Sequence, residues 1–190
     1  MRPDFIETFT GRRFRPLDPD PAEVCIEDIA HALSNQCRFS GHTRAHYSVA
    51  EHSVHVSRLL DRWGCTRDVQ LWGLLHDASE AYLVDIPSPL KSTPAFMPYR
   101  VAESTLMGVI CERFGLSYEQ PQEVSDADAV LLATEVRDLM PAKPAHWDGQ
   151  LTANPIPGTL RPLGASMAKL EFLATFSRLT EFSTFSRLTR

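Results

Sequence analysis

Apolar residues recur at helical spacing along most of the chain. The pattern predicts helices over residues 23–35, 48–63, 67–83, 99–114, 125–139 and 165–179. Ser48 followed by Glu51 forms a capping-box pattern, which places the start of the second helix at Ser48. The segment 67–83 is apolar almost all the way round, so we expect it at the centre of the fold. The sequence therefore predicts an all-α protein.

Three segments depart from this helical pattern. Residues 5–9 and 13–17 flank Thr10-Gly11-Arg12, which predicts a small β hairpin near the N-terminus. Residues 141–164 contain five prolines and three glycines and predict a long loop. Residues 175–180 recur as residues 184–189, and we interpret this as a short tandem duplication. We expect a single domain over residues 1–180 and a frayed tail over residues 181–190.

Composition is typical of a compact single-domain protein. The 190 residues are 43% hydrophobic and 23% charged, with a net charge of −5. This acidity argues against a nucleic acid polymer as partner, because proteins that bind the phosphate backbone usually carry a basic face. No apolar run approaches the roughly 20 residues that span a bilayer, and the first residues do not begin a secretory signal. We therefore expect a cytoplasmic protein with no membrane partner.

Ligand-capable side chains fall on the apolar faces of three predicted helices. They are His52, the pair His76-Asp77, and Asp128. Taken singly, each histidine fits a hydrogen-bonded core residue, and Asp128 fits a capping box that begins at Ser125. Taken together, they bury several ionisable groups, which is costly unless the groups are paired or bind a metal, and these helices contain no lysine. The combination favours a metal site, and its nitrogen and oxygen ligands suit Mn, Fe, Co, Ni or Zn.

The same residues resemble the H…HD…D signature of the HD superfamily of metal-dependent phosphohydrolases. Arg38, the run Glu51-His52-Ser53, the run HDASE at 76–80 and the run DIPSPLK at 85–91 resemble the bacterial 5′-deoxynucleotidase branch. The small phage dATP triphosphohydrolases are a second similar group of comparable size. The resemblance covers about residues 26–139 and implies an HD-domain helical bundle.

The resemblance implies roles for individual residues. One divalent transition metal ion, which is Co, Mn, Zn, Fe or Ni with Mg as a further option, is implied on His52, His76, Asp77 and Asp128. Glu80 shares a helical face with the HD pair and is expected to act as a base or to orient water, and Asp85 resembles a carboxylate used for proton transfer or for holding substrate. Arg38 is implied to grip phosphate. Further substrate-binding candidates, each with packing or a solvated surface position as the alternative, are Phe39, Lys91 and Arg44.

The activity implied by the resemblance is hydrolysis of a small (deoxy)nucleoside 5′-phosphate with release of the nucleoside. A 5′-deoxynucleotidase acting on monophosphates is slightly favoured, because a triphosphate needs cationic groups beyond the first phosphate. The alternatives are a dNTP triphosphohydrolase of the phage type, an HD phosphodiesterase, and a nucleotide-binding module without catalysis. HD bundles of this kind often pair, so the resemblance also implies a homodimer or higher homo-oligomer.

Overall fold

The computed structural model describes residues 4–141, 147, 149 and 151–181. Over these residues the protein is all-α with a two-stranded hairpin near the N-terminus, which confirms the predicted fold class. The strands are β1 (Ile6–Glu7) and β2 (Arg13–Phe14). The longer helices are α1 (Ile26–Asn35), α2 (Val49–Arg62), α3 (Arg67–Leu75), α6 (Met97–Phe114), α7 (Gln122–Leu139) and α8 (Ala165–Thr180). Two short helices are α4 (Glu80–Leu83) and α5 (Ser88–Lys91).

The hairpin contacts the helices through both apolar and polar side chains. β1 and β2 are antiparallel, with Ile6 opposite Phe14. The Phe14 side chain is fully buried, and its ring stacks on Tyr82 with a centroid distance of 3.9 Å. Asp28 of α1 accepts hydrogen bonds from the backbone and the hydroxyl of Thr10, at 2.7 and 2.9 Å. Through these contacts the hairpin packs against α1 and α4.

The central element is α2, which packs against α1, α3, α7 and α8. It begins after Ser48 as predicted, and the Ser48 hydroxyl accepts from the backbone N–H of Glu51 at 3.1 Å. The second hydrogen bond of a capping box, from the backbone N–H of Ser48 to the Glu51 carboxylate, is not formed among the described residues. The Glu51 carboxylate instead accepts the backbone N–H of Leu163, with both oxygens at 3.0 to 3.1 Å. Glu51 therefore links α2 to the chain just before α8.

Two clusters of buried side chains surround α2. The larger cluster includes Phe14 and Phe172, and the smaller cluster includes Leu60 and Leu131. Gly73 of α3 lies directly against α2, where an added Cβ would collide with the Leu60 side chain. The absence of a side chain at Gly73 allows α2 and α3 to approach closely, and this contact brings His52 of α2 near His76, which directly follows α3.

The prediction of one continuous helix over 67–83 is wrong, because the helix is interrupted in its middle. α3 ends at Leu75, and α4 begins only at Glu80. The His76 ring donates from Nδ1 to the carbonyl of Gly73 at 2.8 Å. In the backbone that follows, hydrogen bonds join residues three positions apart. A side chain that takes up a carbonyl in the last turn competes with continuation of the helical hydrogen bonds. His76 and Asp77 therefore lie in a turn between two helices.

Three other helix starts differ from the predictions. α7 begins at Gln122, so Ser125 lies inside the helix and the capping-box interpretation of Asp128 is wrong. α6 begins two residues early, at Met97, and α1 begins at Ile26 after a separate turn of 3-10 helix over Pro21–Glu23. Pro98 lies in the first turn of α6 and Pro121 directly precedes α7, and both are positions at which the start of a helix tolerates proline.

The C-terminal part of the chain partly confirms the predicted loop. Residues 151–164 contain no helix or strand, and the first copy of the repeated sequence forms the end of α8. The second copy, over 184–189, and most of the predicted tail lie outside the described residues. No described helix is long and apolar enough to cross a membrane. The cytoplasmic location stays a prediction.

Candidate metal centre

His52 of α2 lies at the buried end of the site. Its side chain is fully buried, and Nδ1 lies 2.6 Å from Glu135 Oε1. A carboxylate oxygen accepts hydrogen bonds, so Nδ1 carries the hydrogen, and Nε2 of the neutral ring presents a lone pair. That nitrogen faces Asp128 Oδ1 of α7 at 3.1 Å. The ring is thus oriented for binding through Nε2.

His76 presents its Nε2 atom in the same way. The hydrogen bond from Nδ1 to the Gly73 carbonyl fixes the tautomer, because a carbonyl can only accept. His76 Nε2 lies 3.3 Å from His52 Nε2 and 3.2 Å from Asp77 Oδ2. The turn after α3 therefore places the two side chains of the HD pair beside the histidine of α2.

The donor set at this point fits a divalent cation. Ligand atoms of His52, His76 and Asp77 all lie within 4.8 Å of one another, and Asp128 reaches the group through His52. With neutral rings, none of the converging atoms carries a hydrogen, so a cation or a proton is needed between them. Two imidazoles and two carboxylates are a set that suits Mn, Fe, Co, Ni or Zn.

The pKa values in the site show the same demand for positive charge. Burial acts to lower the pKa of His76, but Asp77 outweighs this effect and raises the pKa to about 9. Burial acts to raise the pKa of Asp128, but a proton on His52 Nε2, shared with this carboxylate, outweighs the effect and lowers the pKa to about 2. The Asp128 side chain is 44% exposed, so this carboxylate forms the side of the site that faces solvent.

Glu135 belongs to the candidate site but is not among the predicted site residues. Its carboxylate is fully buried and receives three contacts, from His52 Nδ1 at 2.6 Å, Tyr47 Oη at 2.9 Å and Arg38 Nε at 3.0 Å. Glu135 lies two helical turns after Asp128, and this spacing on one face of α7 is the sequence signal that identifies it. Glu135 orients one predicted ligand and one predicted phosphate-binding residue.

Arg38 joins this network at the edge of the predicted ligand set. Its guanidinium contacts Glu135 Oε2 at 3.0 Å and Asp77 Oδ2 at 3.7 Å. Burial lowers the pKa of Arg38, but Glu135 and Asp77 more than compensate, so the guanidinium stays charged. Its side chain is 15% exposed, which leaves part of the cation open to an anion beside the ligand set.

Glu80 and Asp85 form a second acidic region near Asp77. The Glu80 side chain is buried, and its Oε2 atom has no hydrogen-bond partner among the described residues. Burial, together with the charges of Asp77 and Asp85, raises the pKa of Glu80 to about 9. Burial also raises the pKa of Asp85. Glu80 therefore holds a proton near neutral pH and offers an unpaired oxygen.

The other predicted substrate-binding residues lie at different distances from the centre. Lys91 Nζ lies 3.8 Å from Glu80 but is held at 2.7 Å by Glu103 of α6. Phe39 stands next to the Arg38 guanidinium, and its ring packs edge-on against Trp147 at a centroid distance of 6.3 Å. Arg44 is exposed and donates to the carbonyl of Pro141 at 3.4 Å. Of the three, Arg44 is the one that the structure leaves apart from the site.

Comparison with known proteins establishes the family of the chain. Its sequence is 37% identical over 182 residues to the uncharacterized protein YfdR of Escherichia coli K12, covering 93% of this chain and 96% of YfdR. The chain belongs to the YfdR family. The family includes a similar protein of Rhodobacter capsulatus, the uncharacterized protein RCAP_rcc00048, which is 35% identical over 162 residues, or 81% of this chain and 82% of the relative. No family model matches the chain.

The similarity to YfdR covers almost the whole chain. The names of these two relatives state no activity, so the chemistry has to be inferred from the side chains of the site. Those side chains provide a convergent set of groups that could hold a cation, a buried carboxylate that orients His52, and a guanidinium beside the set.

Proposed function

We propose that the protein is a metal-dependent phosphohydrolase that acts on (deoxy)nucleoside 5′-phosphates and releases the nucleoside. The proposal rests on one observation, that the side chains of four predicted ligands lie close together beside Arg38. These ligands are His52, His76, Asp77 and Asp128. Converging acceptors favour a cation, and a cation next to a guanidinium favours a phosphate group. The resemblance to HD phosphohydrolases supports the same chemistry.

Three of the four ligand candidates contact a separate supporting group in the chain. Glu135 holds His52, the Gly73 carbonyl holds His76, and Arg38 contacts Asp77. The chemistry that a divalent ion supplies to such a set is polarisation of a phosphoryl oxygen and acidification of water. Arg38 then binds a further phosphate oxygen, and Glu135 keeps the guanidinium in place during this contact.

We propose that Glu80 acts as a general acid, in place of the base expected from the resemblance, because its raised pKa favours the protonated carboxyl. Hydrolysis joins the oxygen of water to phosphorus and breaks the bond from phosphorus to the 5′ oxygen, which then needs a proton. Burial is the largest cause of this pKa shift and favours the protonated form of Glu80, and its Oε2 atom has no partner among the described residues. A proton held at Oε2 would pass to the leaving 5′ oxygen, and a proton that the attacking water carries to the phosphate would then restore the acid form of Glu80.

The positions of the basic side chains favour a monophosphate. Beyond the first phosphate, a triphosphate needs further cationic contacts. Lys91 is paired with Glu103, and Arg44 lies apart from the site against a backbone carbonyl. Among the described arginines and lysines, Arg38 is the one that contacts a predicted ligand, Asp77. We therefore propose deoxynucleoside monophosphates as the preferred substrates.

The test is a panel of deoxy- and ribonucleoside mono- and triphosphates. Metal-stripped protein is supplemented with Co, Mn, Zn or Mg, and the products are separated by ion-pairing chromatography. The expected result is a deoxynucleoside with free phosphate. A nucleoside with intact triphosphate would replace the proposal by a dNTP triphosphohydrolase. No product from any substrate, with metal shown to be bound, would overturn it in favour of a phosphodiesterase or a binding module.

A matched pair of variants tests the site in the same assay. Asp77→Asn removes a predicted ligand charge, so metal content and hydrolysis should both be lost. Asp68→Asn changes an exposed carboxylate in the first turn of α3 and should retain both. Full activity and wild-type metal content in Asp77→Asn would remove this residue from the site.

A further inference from the structure

A groove separate from the metal centre lies between α2, α7 and the loop over residues 156–160. Its volume is about 200 Å³, and none of the predicted metal ligands lines it. Its polar lining consists of His55, Arg58 and Arg62 from α2, Thr134 from α7, and Thr159 from the loop. Its apolar lining consists of Leu59, Ile156, Pro157 and Leu160.

The charge of this groove is opposite to that of the whole chain. Three basic side chains line it and no carboxylate does, although the protein carries a net charge of −5. Of the nearby carboxylates, Glu51 lies 3.7 Å from His55 and Glu171 pairs with Arg58, so Arg62 is the lining cation without a carboxylate partner in the described part of the chain. A local excess of basic groups raises the local concentration of anions. The groove is therefore suited to an anionic ligand.

The hydrogen-bond donors of the groove are not used up by the protein. Arg62 is exposed and has no ion pair or hydrogen bond within the described part of the chain. Arg58 donates to Glu171 of α8 through Nη2, which orients the guanidinium and leaves other N–H groups of the five available. Thr159 adds a hydroxyl without a described partner. Two guanidinium groups and a hydroxyl match the oxygens of a phosphate.

We propose that this groove is a second anion-binding site, which takes inorganic phosphate or a compact phosphate monoester. The volume is below the roughly 300 Å³ at which pockets for drug-sized ligands begin, so the occupant is a small molecule. Leu59 and Pro157 provide an apolar wall for the carbon skeleton of a monoester. The proposal is independent of the proposed hydrolysis, because it rests on a different set of residues.

The groove also touches the support of the metal centre. The His55 ring is stacked on Tyr47 with an interplanar angle of 11°, and the Tyr47 hydroxyl donates to Glu135. Thr134 precedes Glu135 and accepts the backbone N–H of Ile156 at 3.0 Å. A ligand held against His55 and Thr134 therefore contacts residues that adjoin Glu135, so binding in the groove should alter the amide resonances of Tyr47 and Glu135.

The experiment is a titration of the full-length protein with inorganic phosphate and with glycerol 3-phosphate, followed by amide chemical shifts and calorimetry. Saturable shifts are expected at Arg62 and Thr159, with tighter binding of the monoester because of the apolar wall. Arg62→Gln should weaken this binding about tenfold, as expected for the loss of one charge-assisted hydrogen bond. Arg13→Gln, a change of an exposed hairpin arginine, should leave it unchanged.

Arg38→Ala distinguishes the groove from the metal centre. This variant should lose phosphate binding at the metal centre and keep the shifts at Arg62 and Thr159. Saturable binding that disappears in Arg38→Ala and is untouched by Arg62→Gln would overturn the second site. Equal affinity for phosphate and glycerol 3-phosphate would contradict the contribution of the apolar wall.

Discussion

Glu135 shows how one side chain organises a site without being one of its predicted ligands. Burial alone raises the pKa of a carboxyl, but Arg38 and His52 reverse the effect at Glu135 and lower its pKa. The ionised carboxylate fixes the tautomer of His52 and holds the Arg38 guanidinium. It also receives the Tyr47 hydroxyl, so this tyrosine is both buried and part of the polar network.

Glu135→Gln tests this role. The amide has nearly the same size but no negative charge, so it supports Nε2 of His52 less well as a ligand. We expect metal affinity to fall by about 10-fold to 100-fold, the usual effect of losing a partner of a metal-binding histidine. Competition with a chromophoric chelator measures this affinity. Glu123→Gln, an exposed change in the first turn of the same helix, should have no effect, and unchanged affinity in Glu135→Gln would contradict the role.

Arg38→Ala tests phosphate binding separately from metal binding. Because Arg38 is not a predicted ligand, metal content should stay at the wild-type level. Loss of a charge-assisted contact of about 1.5–3 kcal/mol predicts a decrease in kcat/KM of about tenfold to a hundredfold for the nucleotide. The exposed Arg44→Ala variant should have wild-type kinetics. Metal loss in Arg38→Ala would mean that the residue supports the ligands and does not bind substrate.

At the scale of elements, the break between α3 and α4 and the close contact of α2 with α3 position the ligands. Apolar periodicity continues through residues 67–83, but the His76 side chain uses a carbonyl of the last turn of α3. Gly73 lies on the face of α3 that meets α2. A larger residue there would move the two helices apart, and with them His52 and His76.

Gly73→Ala tests this contact. The new Cβ would collide with the Leu60 side chain and lie 3.2 Å from Val56 Cγ1, and both neighbours are fully buried. Overpacking of this kind costs about 1–3 kcal/mol, so thermal denaturation should show a clearly lower Tm. Gly108→Ala is the control within α6, where the nearest side-chain atom is 4.0 Å away. That variant should be neutral or more stable by about 0.5–1 kcal/mol, and an equal loss in both would contradict the contact.

At the scale of the molecule, the chain after α7 is held by buried polar contacts. Glu51 is 2% exposed and accepts the backbone N–H of Leu163, which is 112 residues away. On the way to that point, Leu160 donates to Asp138 at 2.8 Å and Ile156 donates to Thr134 at 3.0 Å. These contacts attach residues 156–163 to α2 and α7 and form one wall of the basic groove.

Glu51→Ala tests the attachment of this segment. It leaves the N–H of Leu163 without its acceptor, which costs about 1–3 kcal/mol where water cannot replace it. Hydrogen exchange of the Leu163 amide should become faster, and denaturant unfolding should show lower stability. Glu27→Ala, which changes an exposed residue of α1, should affect neither quantity. Unchanged exchange at Leu163 would show that other contacts hold the segment.

The sequence by itself determined the all-α fold, the hairpin, the start of α2 and the four candidate ligands. These features depend on local spacing, since apolar periodicity and capping involve residues a few positions apart. Only the tertiary structure decided the break after α3, the partners of Glu135, and the groove. Tyr47, His52 and Arg38 lie 88, 83 and 97 residues before Glu135, and no local pattern specifies contacts over such separations. They form because packing α2 against α7 buries these polar groups and requires each to find a partner.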